Sequence, residues 1–203
     1  MVFIDNFISI NDGVISKEDC DFLISTYESE SRTRIMPPQS SGRVCETITY
    51  STDSESDWKI NRILLKSFSP YFDKYAEKYK DALCLGDKWL FDDGYNLQKY
   101  VDGDGYFDLH SEQGLRYPLR MLAWMVYLND AKCGTEFPYQ KKKVKAKTGR
   151  LVIWPAGWTH LHHGVNAPNE RKYIITGWMV YKNSVGNGWG FRNDYENYGR
   201  GFY

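Results

Sequence analysis

Apolar side chains recur at helical spacing in the first part of the chain. After Ser16, the residues Cys20, Leu23 and Tyr27 follow one another at intervals of three and four, which predicts an amphipathic helix. Ser16 and Asp19 resemble a capping box, in which a hydroxyl residue precedes the helix and an acidic residue follows three positions later. We therefore expect this helix to begin just after Ser16.

A second apolar stripe begins near Asp57 and predicts another helix. Its apolar members are Trp58, Ile63, Leu64, Phe68, Phe72 and Tyr75. Pro70 should break or kink this helix, because proline lacks a backbone N–H. Residues 36–44, between the two stripes, contain two prolines and a glycine, which do not continue a helix. This loop is either an ordinary surface loop or a mobile lid over a site.

From residue 88 the pattern changes to short β-branched and aromatic segments separated by glycine, asparagine and aspartate. We predict strands at residues 95–101, 106–110, 121–128, 136–139, 143–147, 150–154, 160–165 and 173–181. About eight short strands at this spacing indicate a sandwich or jelly roll, and helices followed by strands indicate an α+β protein. Residues 183–203, rich in glycine and aromatic residues, form either a flexible tail or a docked segment.

Composition and charge exclude several classes of protein. The 203 residues suit one domain, and the 26 basic and 26 acidic residues give no net charge, which argues against a general nucleic-acid binder. No apolar run approaches the ~20 residues of a membrane helix, and the N-terminus lacks the basic start of a secretory signal. Four scattered cysteines indicate no disulfide framework. We expect a cytoplasmic protein with no membrane or nucleic-acid partner.

All four histidines lie in two short segments of the strand-rich half. His110 and Glu112 are two residues apart, and would share a face if the strand continues; His162 follows about fifty residues later. Two imidazoles and one carboxylate are the donor set of non-haem Fe(II) oxygenases. His160 would share a face with His162, whereas His163 would point to the other face and so toward solvent or substrate. An adventitious nickel or zinc site is the alternative.

Lys172 begins the apolar segment that we predict as the last strand, ten residues after His162. A lysine in this position is commonly a solvated end of a strand. In a jelly roll with metal ligands on neighbouring strands, it could instead reach inward and pair with the carboxylate of a cosubstrate.

Five segments, taken in order, resemble the Fe(II)- and 2-oxoglutarate-dependent dioxygenases of the prolyl 4-hydroxylase type. They are LQKYVDGDGYFDLHSE, RMLAWMVYLND, CGTEFP, KAKTGRLVIWPAGW and HHGVNAPNERKYIITGW, between Leu97 and Trp178. The resemblance implies a double-stranded β-helix, or jelly-roll core, with N-terminal supporting helices. We predict one oxygenase domain over residues 1–203: helical support and the lid loop in 1–87, the core in 88–182 and the tail in 183–203.

The resemblance also assigns roles to individual residues. It implies that His110, Glu112 and His162 are the iron ligands and catalytic residues. It implies that Lys172 binds the C5 carboxylate of 2-oxoglutarate, supported by the hydroxyl group of Tyr100. Arg120 matches a common arginine without an assigned role, and Trp178 matches an aromatic position that lines the pocket. We expect Trp124, Trp154, Trp158 and Trp178 to form aromatic walls that exclude water.

Glu112 departs from the family pattern, which usually has aspartate at this position. Its side chain is longer by one methylene, or roughly 1.5 Å, so the backbone or the rotamer must retract to keep a ligand distance. Asp108 lies two residues before His110, shares its face in the same pleat, and is the alternative ligand. Because halogenases of this superfamily lack the carboxylate, its presence favours hydroxylation over halogenation.

The implied activity is hydroxylation of an unactivated C–H bond. The resemblance favours a prolyl residue of a peptide or protein as the substrate. The implied cofactors are Fe(II), 2-oxoglutarate as cosubstrate and O2, with ascorbate as an optional reductant. Three alternatives remain open: a hydroxylase of another residue or small molecule, a non-catalytic jelly roll that binds a ligand or partner, and a cupin-like zinc or manganese isomerase. The sequence predicts no oligomeric state.

Overall fold

The computed structural model describes residues 3–32, 42–83, 89–101, 103–165 and 169–181. Its α-helices are α1, Lys17–Ser29, and α2, Trp58–Lys78. Its strands are β1 Phe3–Asp5, β2 Ile8–Asn11, β3 Arg43–Val44, β4 Glu46–Ser51, β5 Trp89–Phe91, β6 Gly94–Tyr100, β7 Gly105–Tyr106, β8 Arg120–Tyr127, β9 Gly134–Phe137, β10 Lys142–Lys145, β11 Arg150–Pro155, β12 His163–Val165 and β13 Lys172–Tyr181.

Most of these strands form one large antiparallel sheet. Its order is β1-β2-β11-β8-β13-β6-β4, and β5 pairs with β13 beyond the end of the β6 pairing. A smaller sheet has the order β10-β9-β12, and β3 pairs with β7 as a short ribbon. The described residues therefore form a mostly β fold with few helices, consistent with a jelly-roll core.

The large sheet is buried on both faces, and alternate residues of each strand point to different layers. On β8, Leu122, Trp124 and Val126 belong to the cluster that contains the apolar faces of α1 and α2. Ala123 and Met125, which alternate with them, belong to the cluster that contains residues of the smaller sheet. The helices therefore cover one face of the large sheet, and the smaller sheet covers the other.

The predicted helices begin where the sequence indicates. The Ser16 hydroxyl oxygen accepts a hydrogen bond from the Asp19 N–H at 3.0 Å, which caps α1. Helix α2 continues through Pro70 from Trp58 to Lys78, so the predicted break is wrong. The helix keeps its apolar stripe, since Leu64, Phe68, Phe72 and Tyr75 are all buried, and packing of this stripe outweighs the hydrogen bond that proline omits.

The first 87 residues contain strands that the sequence analysis did not predict. Strand β2 pairs with β11, and β4 pairs with β6, so both extend the large sheet toward its edges. The residues of β4, ETITYS, carry the β-branched and aromatic side chains that favour strands. The segments are short and lie next to strong helical patterns, and pairing with distant strands stabilises them.

Two predicted strands differ from the observed elements. In the segment 106–110, only Tyr106 lies in a strand, and His110 forms an isolated bridge. In the segment 160–165, a short 3₁₀ turn at Trp158–His160 precedes β12. His160 and His162 therefore do not lie in one extended strand. Both departures occur around the candidate metal ligands, where the chain leaves regular pairing.

Several predictions fall partly or wholly outside the described residues. Only residues 42–44 of the predicted lid loop are described, and residues 183–203 are not. In the described part of the chain, neither helix combines the length and the apolar character that crossing a membrane requires.

Candidate metal centre

Backbone pairing brings two of the predicted ligands together. His110 and His162 form an isolated antiparallel bridge, in which each backbone N–H donates to the other residue's carbonyl oxygen at 3.1 Å. Their imidazole ring centroids are 4.3 Å apart, and the Tyr106 ring stacks on His110 at 3.6 Å between centroids. The bridge places the two imidazoles side by side although about fifty residues separate them in the sequence.

Hydrogen bonds fix the orientation of both imidazoles. The Nδ1 atom of His110 lies 2.9 Å from the Asp108 carbonyl oxygen, and Nδ1 of His162 lies 3.0 Å from the His160 carbonyl oxygen. Because a carbonyl only accepts, each Nδ1 must carry the hydrogen, and each neutral ring keeps a lone pair on Nε2. This is the arrangement that metal-ligating histidines commonly have.

Glu112 completes the group from a segment without regular secondary structure. Its backbone N–H donates to the Ala156 carbonyl at 3.0 Å, and its Oε1 lies 3.5 Å from His110 Nε2 and 3.4 Å from His162 Nε2. Two donors bonded to one ion at about 2.1 Å, at right angles, would be about 3 Å apart. The ligand atoms of these three residues all lie within 4.8 Å of one another, so they fit one metal ion.

Two opposing effects act on the Glu112 carboxylate. Burial by itself raises the pKa of Glu112, whereas hydrogen bonds and charge interactions with His110 and His162 lower it when these rings carry a proton on Nε2. The second effect prevails, and the pKa lies well below its ordinary value. The carboxylate is therefore anionic at neutral pH, which is the form that binds a metal ion.

The alternative candidates lie apart from this group. Asp108 offers its backbone carbonyl to His110, and its side chain lies against Gly42. The His160 ring bonds to Thr159 and to the carbonyl oxygen of Asn6.

His163 lines the same cavity but contacts a different carboxylate. Its Nε2 atom lies 3.6 Å from Glu136 Oε2. Among the described residues, only His110, Glu112 and His162 form a cluster of metal-ligating side chains.

Lys172 begins β13 and lies inside the pocket, with only 6% of the residue exposed. Burial lowers its pKa, and no carboxylate in the described part of the chain forms an ion pair with it. Its Nζ lies 4.3 Å from the centroid of the Tyr100 ring. The Tyr100 hydroxyl donates to Gln98 Oε1 at 2.8 Å, so the ring of Tyr100 contacts the lysine and its hydroxyl is already bonded.

A cavity of about 560 Å³ joins the candidate metal ligands to Lys172. Alternate residues of two strands line it: Gly94, Asn96, Gln98 and Tyr100 of β6, and Lys172, Ile174, Thr176 and Trp178 of β13. Most of these residues were not predicted from the sequence. The period of two from Lys172 along its predicted strand could have identified two of them, Ile174 and Thr176.

The predicted aromatic walls are correct in part. Trp154 and Trp178 line the cavity. Trp124 packs on the helix side of the large sheet, because it lies one residue out of phase with the pocket-facing residues of β8. Trp158 is 73% exposed in the turn that precedes His160.

Two residues around Glu112 have contacts that the sequence did not predict. Trp178 donates its indole N–H to Glu112 Oε2 at 2.9 Å. The Arg120 guanidinium lies 3.4 Å from the centroid of the Trp178 ring and 3.7 Å from that of Tyr117, and its Nε donates to Asp92 Oδ2 at 3.2 Å. The family resemblance identified both Trp178 and Arg120, but not these partners.

Residues 95–180 match the family model of the 2OG-Fe(II) oxygenase superfamily. No curated protein sequence matches the chain. Viral collagen prolyl hydroxylase from Paramecium Bursaria Chlorella virus-1, solved with 2OG, has a similar structure with a TM-score of 0.62. It is 20% identical in sequence, and the alignment covers 86% of this chain and 96% of that one.

Two further structures are similar. A Pseudomonas putida prolyl-4-hydroxylase has a TM-score of 0.61 at 13% identity, with 87% of this chain and 94% of that one covered. The third is a prolyl hydroxylase from Trichoplax adhaerens in complex with a peptide fragment of the hypoxia inducible factor oxygen degradation domain. Its TM-score is 0.59 and its sequence identity 17%, and the alignment covers 86% of this chain and 84% of that one. The fold is thus that of the prolyl hydroxylases, and the family match confirms the resemblance to the Fe(II)- and 2-oxoglutarate-dependent dioxygenases.

Proposed function

We propose that this chain is an Fe(II)- and 2-oxoglutarate-dependent dioxygenase that hydroxylates a prolyl residue of a peptide or protein. One observation carries the proposal: a single cavity contains two imidazoles with a carboxylate and also the buried ammonium group of Lys172. A buried charge without an anionic partner costs free energy. A protein that retains such a charge in a ligand-sized cavity is expected to use it for an anionic ligand.

In this proposal, His110, Glu112 and His162 hold Fe(II). Two neutral imidazoles and one carboxylate suit this ion and leave coordination positions for other ligands. When bound, iron with 2-oxoglutarate and O2 supplies the oxidation: the C–H bond gains one oxygen atom, and 2-oxoglutarate becomes succinate and CO2. The protein orients the ligands through the backbone carbonyls at Asp108 and His160.

Lys172 binds the far carboxylate of 2-oxoglutarate. Its ammonium group is largely desolvated, so an arriving carboxylate meets a charge that has already lost most of its water. The Tyr100 ring lies beneath the ammonium group and partly offsets the cost of burying it. The Tyr100 hydroxyl can donate a hydrogen bond to this carboxylate only if it gives up its hydrogen bond to Gln98.

The architecture suits this role. Helices α1 and α2 cover the face of the large sheet opposite the cavity. In this proposal they are the support of a single oxygenase domain whose core is a double-stranded β-helix. Trp154 and Trp178 reduce the access of water to the candidate metal ligands.

One observation supports a prolyl substrate, and a second supports hydroxylation of it. The similar structures include a collagen prolyl hydroxylase and a prolyl hydroxylase in complex with a peptide fragment. Glu112 supplies the carboxylate whose absence would indicate halogenation.

The first experiment tests the metal and cosubstrate sites without any substrate. Anaerobic addition of Fe(II) and 2-oxoglutarate to the apoprotein should give a visible metal-to-ligand charge-transfer band. The band should be absent in His162→Ala. A wild-type protein that binds neither Fe(II) nor 2-oxoglutarate would contradict the proposal and favour the non-catalytic alternative.

The second experiment tests the substrate class. Succinate formation with Fe(II), 2-oxoglutarate, O2 and ascorbate should rise on addition of proline-containing peptides, and the peptide should gain about 16 Da. Matched peptides with alanine in place of proline are the control. If the alanine peptides stimulate turnover equally, or only free amino acids do so, the hydroxylase has a different substrate.

A further inference from the structure

The two oxygens of the Glu112 carboxylate have different surroundings. Oε1 lies 3.5 Å from His110 Nε2 and 3.4 Å from His162 Nε2, so it faces the space between the imidazoles. Oε2 accepts a hydrogen bond from the Trp178 indole N–H at 2.9 Å and lies 4.0 Å from Arg120 Nη1. One oxygen therefore faces the candidate metal position, and the other is bound by the protein.

The indole of Trp178 is itself held in place. Strand β13 fixes its backbone, and its carbonyl oxygen accepts from the Asp92 N–H at 3.0 Å. The Arg120 guanidinium stacks on its ring, packs against Tyr117 on its other side and bonds to Asp92. The donor that reaches Glu112 is thus part of a packed assembly rather than a mobile side chain.

This hydrogen bond is not a general consequence of burying tryptophan in this fold. Within the described residues, the indole nitrogens of Trp124 and Trp154 are buried and have no hydrogen-bond partner. Trp154 lies at the same cavity, with its ring 5.0 Å from that of His162, and yet its N–H bonds to no group of the described chain.

We propose that Trp178 is a positioning residue that holds Glu112 by Oε2, so that the longer side chain presents a single oxygen to the metal ion. This inference rests on the proposed function. Glutamate reaches roughly 1.5 Å further than aspartate. The extra length lets the carboxylate contact Trp178 with one oxygen while the other remains between the imidazoles. Arg120 contributes by fixing the indole ring.

Holding one oxygen has a chemical consequence. Carboxylates bind metal ions through one oxygen or through both. A glutamate with both oxygens free could use both, and would then occupy a position that a bidentate cosubstrate or O2 requires. The Trp178 hydrogen bond commits Oε2 to the protein and leaves Oε1 as the single donor.

The test measures the anaerobic Fe(II) affinity of the apoprotein by calorimetry, in a cycle of four proteins. These are the wild type, Trp178→Phe, Glu112→Asp and the double variant. Trp178→Phe removes the N–H and keeps an aromatic ring beside Arg120, and it should weaken Fe(II) binding about tenfold, the lower end of what a lost supporting hydrogen bond costs. In the Glu112→Asp background the same change should alter affinity by no more than about twofold, the scatter of independent sites.

Two controls separate positioning from stability and from the site itself. Trp124→Phe removes a buried indole N–H on the helix side of the large sheet, and it should lower thermal stability while Fe(II) affinity is retained. His162→Ala should abolish Fe(II) binding.

The possible results distinguish the positioning role of Trp178 from the proposed function. Equal losses for Trp178→Phe in both backgrounds, or no loss in the wild-type background, would overturn the inference and leave the proposed function intact. If wild type and His162→Ala bind Fe(II) equally well, the metal site is wrong, and both the proposed function and this inference fail.

Discussion

The two ends of the cavity are built in opposite ways. At the metal end, each of the three candidate ligands has a partner within the described chain: carbonyl oxygens accept from both imidazoles, and the Trp178 indole donates to Glu112. At the other end, Lys172 is buried beside an aromatic ring, and no carboxylate of the described chain forms an ion pair with it. The candidate ligands at the first end are therefore held in place before any ion arrives, whereas the second end carries an unmatched charge.

This difference shows how each end contributes to binding. At the metal end the protein has already fixed the geometry, so an arriving ion does not need to order flexible side chains. At the lysine end the protein has removed the water from a cation, so an arriving carboxylate gains a strong interaction. The comparison predicts that variants at the two ends will fail in distinguishable ways.

The largest effect is expected at the metal end. His110→Ala or His162→Ala removes one of three protein ligands and should abolish both Fe(II) binding and 2-oxoglutarate turnover. His163→Ala should retain most of both, because this imidazole lies beside Glu136, outside the three-residue group. Calorimetry and succinate formation measure the two quantities. Equal losses at His162 and His163 would show that the ligand has been assigned to the wrong histidine.

At the lysine end, the effect should be confined to the cosubstrate. Lys172→Ala leaves the bound carboxylate without its cation, and breaking a buried pair in this way costs roughly 3–5 kcal/mol. This corresponds to about two to four decades in 2-oxoglutarate affinity. Fe(II) binding should remain unchanged. An unaltered dependence of turnover on 2-oxoglutarate concentration would remove Lys172 from the binding site.

Glu112→Asp tests how closely the metal end is fitted to the longer side chain. Shortening the side chain withdraws the carboxylate from the imidazoles or from Trp178, although aspartate is the commoner family residue. We expect Fe(II) affinity to fall by at least about tenfold, the smallest loss typical of removing a ligand's supporting contact.

The matched control for this variant is Asp108→Asn. Asp108 contributes only its backbone carbonyl to His110, which asparagine retains, so Fe(II) affinity should change little. Full activity in both Glu112→Asp and Glu112→Gln, together with a loss in Asp108→Asn, would assign the carboxylate ligand to Asp108.

The lysine end of the cavity, which consists of regular paired strands, could be predicted from sequence more completely than the metal end. Lys172 and Tyr100 lie opposite each other on paired strands β13 and β6, and the period of two along each strand identifies the residues that face the cavity. The same reasoning gave most strands after residue 94, with ends that differ by a few residues. Strands β2 and β4 were missed because distant partners, β11 and β6, stabilise them.

The metal end could be predicted only as a set of residues. A strand pattern places His110 and Glu112 on one face, yet the structure positions Glu112 through a backbone bond to Ala156. The hydrogen bond from Trp178 joins residues 66 positions apart, and nothing in their local sequence indicates it. Such contacts depend on which distant segments pack against each other. The periodicity of a single sequence gives no information about that packing.

The smallest effect concerns stability, and it again separates the two ends. Lys172→Met replaces a buried cation with an apolar side chain of similar length, and this should stabilise the folded protein while 2-oxoglutarate binding is lost. If the substitution raises the free energy of unfolding by about 1 kcal/mol, Tm should rise by about 2–4 °C for a chain of this size. Thermal unfolding at pH 7 measures the gain. Added Fe(II) and 2-oxoglutarate under anaerobic conditions should then stabilise the wild type further than the variant.

The pH dependence of this gain identifies its cause. Burial lowers the pKa of Lys172 in the folded state, so the unfolded chain binds more protons and wild-type stability rises with pH between the folded value and the ordinary value of about 10.4. The advantage of Lys172→Met should therefore be largest at neutral pH and should shrink as pH approaches 10.4. A constant difference across this range would mean that methionine acts through packing, and that the charge of Lys172 costs the folded protein little.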